Sequence, residues 1–251
     1  MASSWNADSR NTGIVVTALT VAGLLLPRQP QMENKPGLAN DLMAHANGSS
    51  YPSTLAVSGP NKATLQFLGT TECRAIAEIG VYVGETSEGL ARFLNGLGML
   101  HLLDYEDQVL NVQRRLRKLG YDNVIAHGNS RKLLDSYNWS LMKLLQQHTG
   151  PIFDYVFIDG AHTWNVDGLT FFLVDRLLRP GGYVDFDDYS WSLANSPSLR
   201  PCVFPLTAEL YTSEQISVAQ VALIVDLLVK PNPRYQEVVP NKIYRKLRSD
   251  E

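Results

Sequence analysis

The sequence predicts an α/β fold: a doubly wound, mostly parallel seven-stranded sheet with helices on both faces and a C-terminal antiparallel hairpin. After Pro60, apolar runs of strand length alternate with amphipathic stretches of helix length, a pattern typical of parallel βαβ units. Beyond residue 230, two alternating segments flank Pro240-Asn241 and predict a hairpin at the sheet edge. With 45% hydrophobic residues among 251, the chain can bury a substantial core.

Each element is predicted from its own stretch of sequence. Five apolar runs predict the parallel strands, at 75–78, 99–104, 123–127, 155–159 and 183–187. The stretches before, between and after them have helical spacing of apolar residues and predict helices near 62–70, 86–97, 107–119, 131–148 and 163–178. One further helix is predicted over 213–229, and the hairpin strands over 235–239 and 242–247.

Residues 1–60 are predicted to be an N-terminal extension, irregular or helical, and residues 61–251 the main domain. The longest apolar stretch, residues 14–26, has 13 residues and is stopped by Pro27, whereas roughly 20 are needed to span a bilayer. A signal peptide remains an alternative by length, although the flanking charge and cleavage pattern do not support it. The polar, broken remainder of the extension predicts a lid or a surface wrap, and the extension is a candidate segment for a homodimer.

Composition and charge exclude several classes of protein. There are 22 Lys and Arg residues against 25 Asp and Glu, a formal charge of −3, so bulk attraction to nucleic acid or to a membrane surface is not expected. The densest basic segment, residues 114–118, is expected to be a solvated helix face. The two cysteines, Cys73 and Cys202, lack disulfide or zinc spacing and favour a reducing, cytoplasmic setting.

The first strand-to-helix turn carries an acid followed by two glycines. Glu78 ends the strand, Gly80 and Gly84 follow, and the next helix begins near Thr86 and Ser87. Glycines let the backbone approach a ligand, and free N–H groups at a helix N-terminus bind anions. Because two glycines alone are a weak signal, a tight turn that needs glycine for itself is the alternative.

Polar residues also end the second and third strands. Asp104 lies roughly 20 residues beyond the glycines, where a carboxylate can accept both hydroxyls of a ribose. The third strand ends in Asn129 and Ser130, small polar residues suited to the edge of an adenine. A surface turn or a helix cap without any ligand remains open for these positions.

Acids cluster at the ends of the fourth and fifth strands. If the two strands are neighbours, Asp159, Asp187 and Asp188 converge on one crevice. Like charges that close need a cation or a shared proton, and an all-oxygen set suits Mg²⁺ or Mn²⁺. The alternative is that the first acid caps a helix and the other two are solvated. Asp185 shares the face of Asp187 and is expected to form an ion pair or hydrogen bond inside the sheet.

Taken together, these motifs resemble the class I S-adenosylmethionine-dependent methyltransferases. The resemblance is carried by E-x-G-x-x-x-G, the acid ending the second strand, FDYVFIDGAH and LRPGGYVDFDDY. It covers residues 70–191 and the C-terminal helix and hairpin. Within that class, the acids of the fourth and fifth strands look like those of the metal-assisted O-methyltransferases that act on sugars and other hydroxylated natural products.

The resemblance implies a role for each of these residues. The implied site for S-adenosylmethionine consists of Glu78, Gly80, Tyr82, Gly84, Thr86, Ser87, Asp104, Asn129, Ser130 and Asp159. In it, the glycines cradle the methionine part of the cofactor, the first acid reaches its amino group and the second takes the ribose hydroxyls. The implied metal site for Mg²⁺ or Mn²⁺ consists of Asp159, Asp187 and Asp188 and orients two substrate oxygens.

One position departs from the pattern. Several sugar methyltransferases of this type carry an acid two residues after the fourth-strand Asp, where it serves as general base, and here that position is Ala161. His162 is the available alternative, because a neutral imidazole near pH 7 can take a hydroxyl proton within hydrogen-bond reach. A helix cap is its other possible role. His162 and Asp159 are therefore the expected catalytic pair, in direct in-line methyl transfer to a small hydroxylated substrate.

Two other functions remain open from the sequence. A nicotinamide-dependent dehydrogenase shares the glycine turn and the ribose acid, although its G-x-G-x-x-G is absent because residues 81–83 separate the glycines. A non-catalytic cofactor-binding protein of the same fold is the second, kept open by Ala161. The neighbouring aromatics Trp164, Tyr189 and Trp191 predict a flat wall for a sugar or ring, while Trp164 could equally belong to the core.

Overall fold

The computed structural model describes residues 59–132, 134–248 and 250. Over this part of the chain the strands are β1 Ala75–Ile79, β2 Met99–Tyr105, β3 Val124–Asn129, β4 Phe153–Ile158, β5 Leu178–Phe186, β6 Tyr235–Val239 and β7 Ile243–Lys246. They form one sheet in the order β3-β2-β1-β4-β5-β7-β6. The first five strands are parallel, and β7 runs antiparallel to both β5 and β6. The predicted sheet and its C-terminal hairpin are confirmed.

Helices cover both faces of this sheet, as the doubly wound pattern predicts. They are α1 Lys62–Leu68, α2 Glu85–Leu94, α3 Glu106–Lys118, α4 Tyr137–Gln147, α5 Trp164–Leu177, α6 Leu206–Leu210, α7 Ser213–Ser217 and α8 Gln220–Ile224, the last continued by a π-helical turn at Val225–Val229. Leu90 and Val112 represent the core under α2 and α3, and Leu141 and Phe171 the core under α4 and α5. Because β1 and β4 are buried on both sides, most of their positions are apolar, and the exceptions are Glu78 in β1 and Asp154 in β4.

The helix predicted over 131–148 begins only at Tyr137, and short polar side chains explain the delay. The N–H and the hydroxyl of Ser130 both donate to Asp135, at 2.7 and 2.6 Å. Ser136 then caps the helix, its hydroxyl accepting from the N–H of Asn138. Such local bonds give the backbone an alternative to the helix, which the apolar spacing of the segment does not reveal.

The single helix predicted over 213–229 is wrong, because the chain breaks between α7 and α8. Val218 is extended, and α8 starts after Ala219. The buried side chain of Gln220 accepts from the N–H of Trp164 and donates to the carbonyl of Gln215, each at 2.8 Å. A long-range hydrogen bond to α5 therefore stabilises the break between the two helices. The local sequence pattern does not reveal this bond.

The sheet brings four strand ends to one edge. The chain order reverses between β1 and β4 at the centre of the sheet, and in open sheets the crevice beyond the carboxyl ends at such a switch point is where ligands bind. The N–H of Gly80 bonds to Leu103 of β2, that of Asp159 to Ile79 of β1, and that of Asp187 to Ile158 of β4. The residues that follow these strands consequently lie side by side.

The predicted N-terminal extension lies outside the described residues up to position 58. The division at residue 60, the homodimer and the cytoplasmic location therefore stay predictions. Within the described ranges, no helix combines the length and the hydropathy that crossing a bilayer requires.

Candidate active site

His162 lies between two of the predicted acids in the crevice. Asp159 follows β4, Asp188 follows β5, and the imidazole occupies the turn between β4 and α5. Its Nε2 is 3.2 Å from Asp159 Oδ1 and 3.5 Å from Asp188 Oδ2. Neither contact has the direction of a hydrogen bond, so this buried nitrogen has no such partner among the described residues. Its hydrogen-bonding capacity is therefore not used by any described residue.

The pKa values of this group are set by burial and by the neighbouring charges. Burial alone would lower the pKa of His162, but the carboxylates of Asp159 and then Asp188 outweigh it and raise the pKa to about 9. Burial raises the pKa of Asp159 to about 6, against the opposing effect of His162. The raised pKa of His162 favours its protonated form, paired with Asp159, whereas a neutral imidazole near pH 7 was expected from the sequence. The imidazole becomes a base only on losing its proton.

Two members of this group sit in strained backbone. His162 has φ 54° and Asp188 has φ 57°, the left-handed region that costs a residue with a side chain about 1–3 kcal/mol. Such conformations persist only where the surrounding structure holds them, and they concentrate at functional sites. Both residues at this point of the crevice are therefore in a conformation that their surroundings help to hold.

Beside this group lies a second set of acids, which is neutralised by a lysine from the hairpin. Lys242 Nζ is 3.0 Å from Asp185 Oδ1 and 3.3 Å from Asp187 Oδ1. The hydroxyls of Thr64 and Tyr155 donate to Asp185 Oδ2 at 2.6 and 2.5 Å. The expectation that Asp185 pairs inside the sheet is confirmed. Nothing in the local sequence around Lys242 signals this role.

The acids predicted to bind Mg²⁺ or Mn²⁺ already have cationic partners from the chain itself. His162 lies between Asp159 and Asp188, and Lys242 contacts Asp187. Over the described residues, no group of three or more His, Cys, Asp or Glu side chains is placed to hold a metal ion. The residues as placed do not fit the predicted metal, because the charge repulsion that called for a cation is relieved by protein groups.

Asn61 joins the first and fifth strand ends, a role the sequence did not reveal. It caps α1, and its N–H donates to the hydroxyl of Thr86 at 3.0 Å. Its side-chain amide donates to Asp187 Oδ1 at 2.9 Å. Thr86, which was predicted to contact the cofactor, thus accepts a hydrogen bond from the backbone N–H that precedes α1.

The glycine turn is tight for reasons internal to the fold. Gly80 and Gly84 have φ 86° and 77°. A Cβ on Gly80 would lie 1.8 Å from the carbonyl oxygen of Asp159, and one on Gly84 would lie 2.6 Å from the side chain of Val112. Tyr82 stands at the tip, 48% exposed. Both glycines are required by the turn itself, the alternative left open above, and their contact with a cofactor stays a prediction.

The acids of β1 and β2 have different partners. Glu78 is 2% exposed and accepts from the hydroxyl of Ser87 at 2.5 Å, and burial raises its pKa well above the ordinary value. Asp104 Oδ2 accepts from the N–H groups of Val81 and Tyr82 at 2.7 and 3.1 Å, so it holds the glycine turn. Because a buried carboxyl is costly to ionise unless it is paired, Glu78 fits the ammonium group of an amino acid.

The end of β3 offers a buried acceptor. Asn129 is 7% exposed, and its Nδ2 donates to the carbonyl of Ser130 at 3.1 Å. Its Oδ1 has no hydrogen-bond partner within the described part of the chain. Buried polar atoms are rarely left unsatisfied, and this oxygen fits the exocyclic amine of an adenine. Ser130 donates to Asp135 through its N–H and its hydroxyl and does not cap α4, whose cap is Ser136; its contact with an adenine stays a prediction.

Residues 77–189 match a family model described as a methyltransferase domain. This range runs from β1 to the acids after β5, and therefore contains Glu78, Asp104, Asp159 and His162. Residues 77–189 are thus similar in sequence to a methyltransferase domain. No curated protein sequence matches the chain.

Several solved structures of methyltransferases are similar to this chain. The O-methyltransferase from Bacillus cereus in complex with SAH is 19% identical, covers 87% of this chain and 94% of its own, and has a TM-score of 0.47. TomG from Streptomyces achromogenes, an O-methyltransferase involved in tomaymycin synthesis and bound to SAM, is 24% identical. The match covers 74% of this chain and 79% of TomG, with a TM-score of 0.43. SAH-bound PaMTH1 of Podospora anserina is 16% identical, and the match covers 90% of this chain and 100% of PaMTH1, with a TM-score of 0.47.

Proposed function

We propose that this methyltransferase domain uses S-adenosylmethionine to methylate a hydroxyl group of a small substrate, a sugar or another natural product, by in-line transfer. The observation that carries the proposal is the position of His162, whose Nε2 lies 3.2 Å from Asp159 at the carboxyl edge of the sheet. A base with a paired carboxylate in the ligand crevice of this domain is what deprotonation of a hydroxyl requires.

Three groups support the cofactor. When bound, S-adenosylmethionine supplies a methyl group on a positively charged sulfur. An oxygen nucleophile can attack the carbon of this methyl group directly, and the sulfur is the leaving group. The buried carboxyl of Glu78 would bind the amino group of the methionine part, with Ser87 donating to its other side. Asn129 would accept from the adenine through its unpartnered Oδ1. Asp104, by holding the glycine turn, keeps Gly80 and Gly84 in place around the crevice.

His162, flanked by two carboxylates, would accept the proton that the substrate hydroxyl loses. In its neutral form, Nε2 accepts the proton of the substrate hydroxyl, and Asp159 and Asp188 stabilise the imidazolium that results. The ring of Trp191 has its centroid 5.3 Å from that of His162 and would form one wall for the substrate. The chain's own cations, His162 and Lys242, neutralise the acids that would otherwise hold a metal. The remaining contribution is proximity and alignment of hydroxyl and methyl.

Cofactor binding is tested first and methyl transfer second. Calorimetric titration with S-adenosylhomocysteine and with NAD is expected to show binding of the first alone. Incubation with methyl-labelled S-adenosylmethionine and a panel of sugars, phenols and amines should then place the label on oxygen. Tight binding of NAD alone would support a dehydrogenase instead. Binding of S-adenosylhomocysteine without transfer to any acceptor class would support the non-catalytic alternative.

A further inference from the structure

A buried tyrosine and a buried carboxylate lie beneath the turn that carries His162. Tyr137 begins α4 and Asp167 lies in the first turn of α5, and they are 7% and 2% exposed. The hydroxyl of Tyr137 donates to Asp167 Oδ1 and accepts from the N–H of Ala161 at 2.9 Å. One hydroxyl therefore joins two helices to the turn between β4 and α5.

The turn rests directly on this hydroxyl. A Cβ placed on Gly160 would lie 2.3 Å from the phenolic oxygen of Tyr137, so a side chain at position 160 would displace either the turn or the tyrosine. The contact is close because the phenolic oxygen approaches the backbone of Gly160 and Ala161 together. The conformation of the turn thus depends on where that oxygen sits.

The same turn is the one that holds His162 in left-handed backbone at φ 54°. That conformation is unfavourable for a residue with a side chain and needs external support. Ala161, which directly precedes His162, receives such support from Tyr137. The backbone N–H groups of His162 and Ala161 also act on Asp167, where they oppose the increase in its pKa that burial causes. Two side chains from two helices converge on three consecutive residues.

We propose that Tyr137 and Asp167 are positioning residues for methyl transfer, whose hydrogen-bonded pair holds residues 160–162 in the conformation that aims His162 between Asp159 and Asp188. The inference rests on the proposed function of His162. Both residues act through the backbone of the turn, so they affect the rate of transfer rather than the binding of cofactor or acceptor.

Tyr137→Phe tests this directly, since it removes one oxygen and leaves the ring in the core. The N–H of Ala161 loses its acceptor, and the turn loses its anchor. Because a small misplacement of a catalytic group costs a large factor in rate, we expect kcat to fall about tenfold or more. The KM for the acceptor and the Kd for S-adenosylhomocysteine should stay within about twofold of the wild type, since substrate and cofactor binding is untouched.

A matched control is the neighbouring residue Asn138. Its amide donates to the carbonyl of Val166 at 3.0 Å and accepts from Thr170 at 2.7 Å, so it joins the same two helices, and none of these bonds reaches residues 160–162. Asn138→Ala is expected to lower Tm to a similar extent and to leave kcat unchanged. Asp167→Asn keeps an acceptor for the tyrosine and should retain most activity, whereas Asp167→Ala should behave like Tyr137→Phe.

The NMR signal of the His162 ring, assigned by its loss in His162→Gln, gives a readout that needs no turnover. It should move in Tyr137→Phe and stay in place in Asn138→Ala. An active wild type with kcat unchanged in Tyr137→Phe overturns the positioning role. A signal that moves as expected in a protein that methylates no acceptor overturns the proposed function and keeps the positioning role. If Tyr137→Phe does not fold, the ratio of kcat in Asp167→Asn to that in Asp167→Ala decides, and equal values overturn the proposal.

Discussion

Two groups of carboxylates lie side by side at the ends of β4 and β5, and they differ in the cation that neutralises them. In one, Asp159 and Asp188 flank the imidazole of His162. In the other, Asp185 and Asp187 share the ammonium group of Lys242. An imidazole can lose its proton within the range of pH that enzymes use, and an ammonium group in this setting cannot, because its neighbours raise its pKa further.

This difference assigns separate tasks to the two groups. Asp185 is fully buried and accepts from two hydroxyls besides its ion pair, so its group serves to join the hairpin to the sheet. The group around His162 is partly open to the crevice, with the side chain of Asp188 46% exposed, and can exchange protons with a ligand. Of two neighbouring groups of acids, the one around Lys242 thus stabilises the fold, and the one around His162 is available for proton transfer.

The largest expected effect is on activity and comes from the imidazole group. His162→Ala should lower kcat by about 10²–10⁴-fold, the usual contribution of a general base, with binding of S-adenosylhomocysteine retained. His148→Ala, which changes an exposed histidine at the end of α4, is the control and should leave kcat as it is. Steady-state rates of methyl transfer measure both. A His162→Ala enzyme that transfers methyl at the wild-type rate would remove the base from the mechanism.

The next effect is on stability and comes from the ammonium group. Lys242→Met leaves Asp185 buried without its cation, and breaking such a pair destabilises by about 3–5 kcal/mol. Urea denaturation gives the free energy of unfolding. Asp185→Asn in the Lys242→Met background should recover part of the loss. Lys230→Met, which removes a surface ion pair with Asp226, should have no measurable effect, and equal losses in the two lysine variants would contradict the comparison.

Activity and stability should respond to pH in opposite directions. Neutral His162 is the active form and its pKa is raised to about 9, so kcat/KM should rise roughly tenfold per pH unit up to that value. The stabilising effect of protonated His162 is complete below about 6.5, its pKa in the unfolded chain, and is lost as pH rises through about 9. The Lys242 group keeps its charge throughout this interval. A His162→Gln variant should show neither trend in rate profiles and denaturation curves.

The smallest expected effect is that of added metal. Since His162 and Lys242 already neutralise the acids, Mg²⁺, Mn²⁺ or a chelator should leave Tm and kcat unchanged. Thermal unfolding and transfer rates with each addition measure this. Tight binding of Mn²⁺ that Asp187→Asn abolishes would show that an ion displaces the two protein cations, and would restore the metal site predicted from the sequence.

Much of the fold follows from local sequence because the signals are local. The apolar runs at β1 and β4 and the paired alternating segments of the hairpin show their structure within a few residues. The same holds for the acids at the strand ends, which mark the crevice. The start of α4 at Tyr137 and the break at Val218 cannot be predicted from local sequence. Specific hydrogen bonds of the Ser136 and Gln220 side chains determine them.

The sequence by itself determined the order of strands and helices, the crevice where the strand ends meet, and the identity of the acids and the histidine placed there. Only the tertiary structure decided which acid pairs with which cation. Lys242 and Asp187 are 55 positions apart, and Tyr137 and Asp167 are 30 apart, so no periodicity links them. Burial then makes these partners consequential, because a charge removed from water must find a specific counter-charge or hydrogen bond, and packing alone determines which group is within reach.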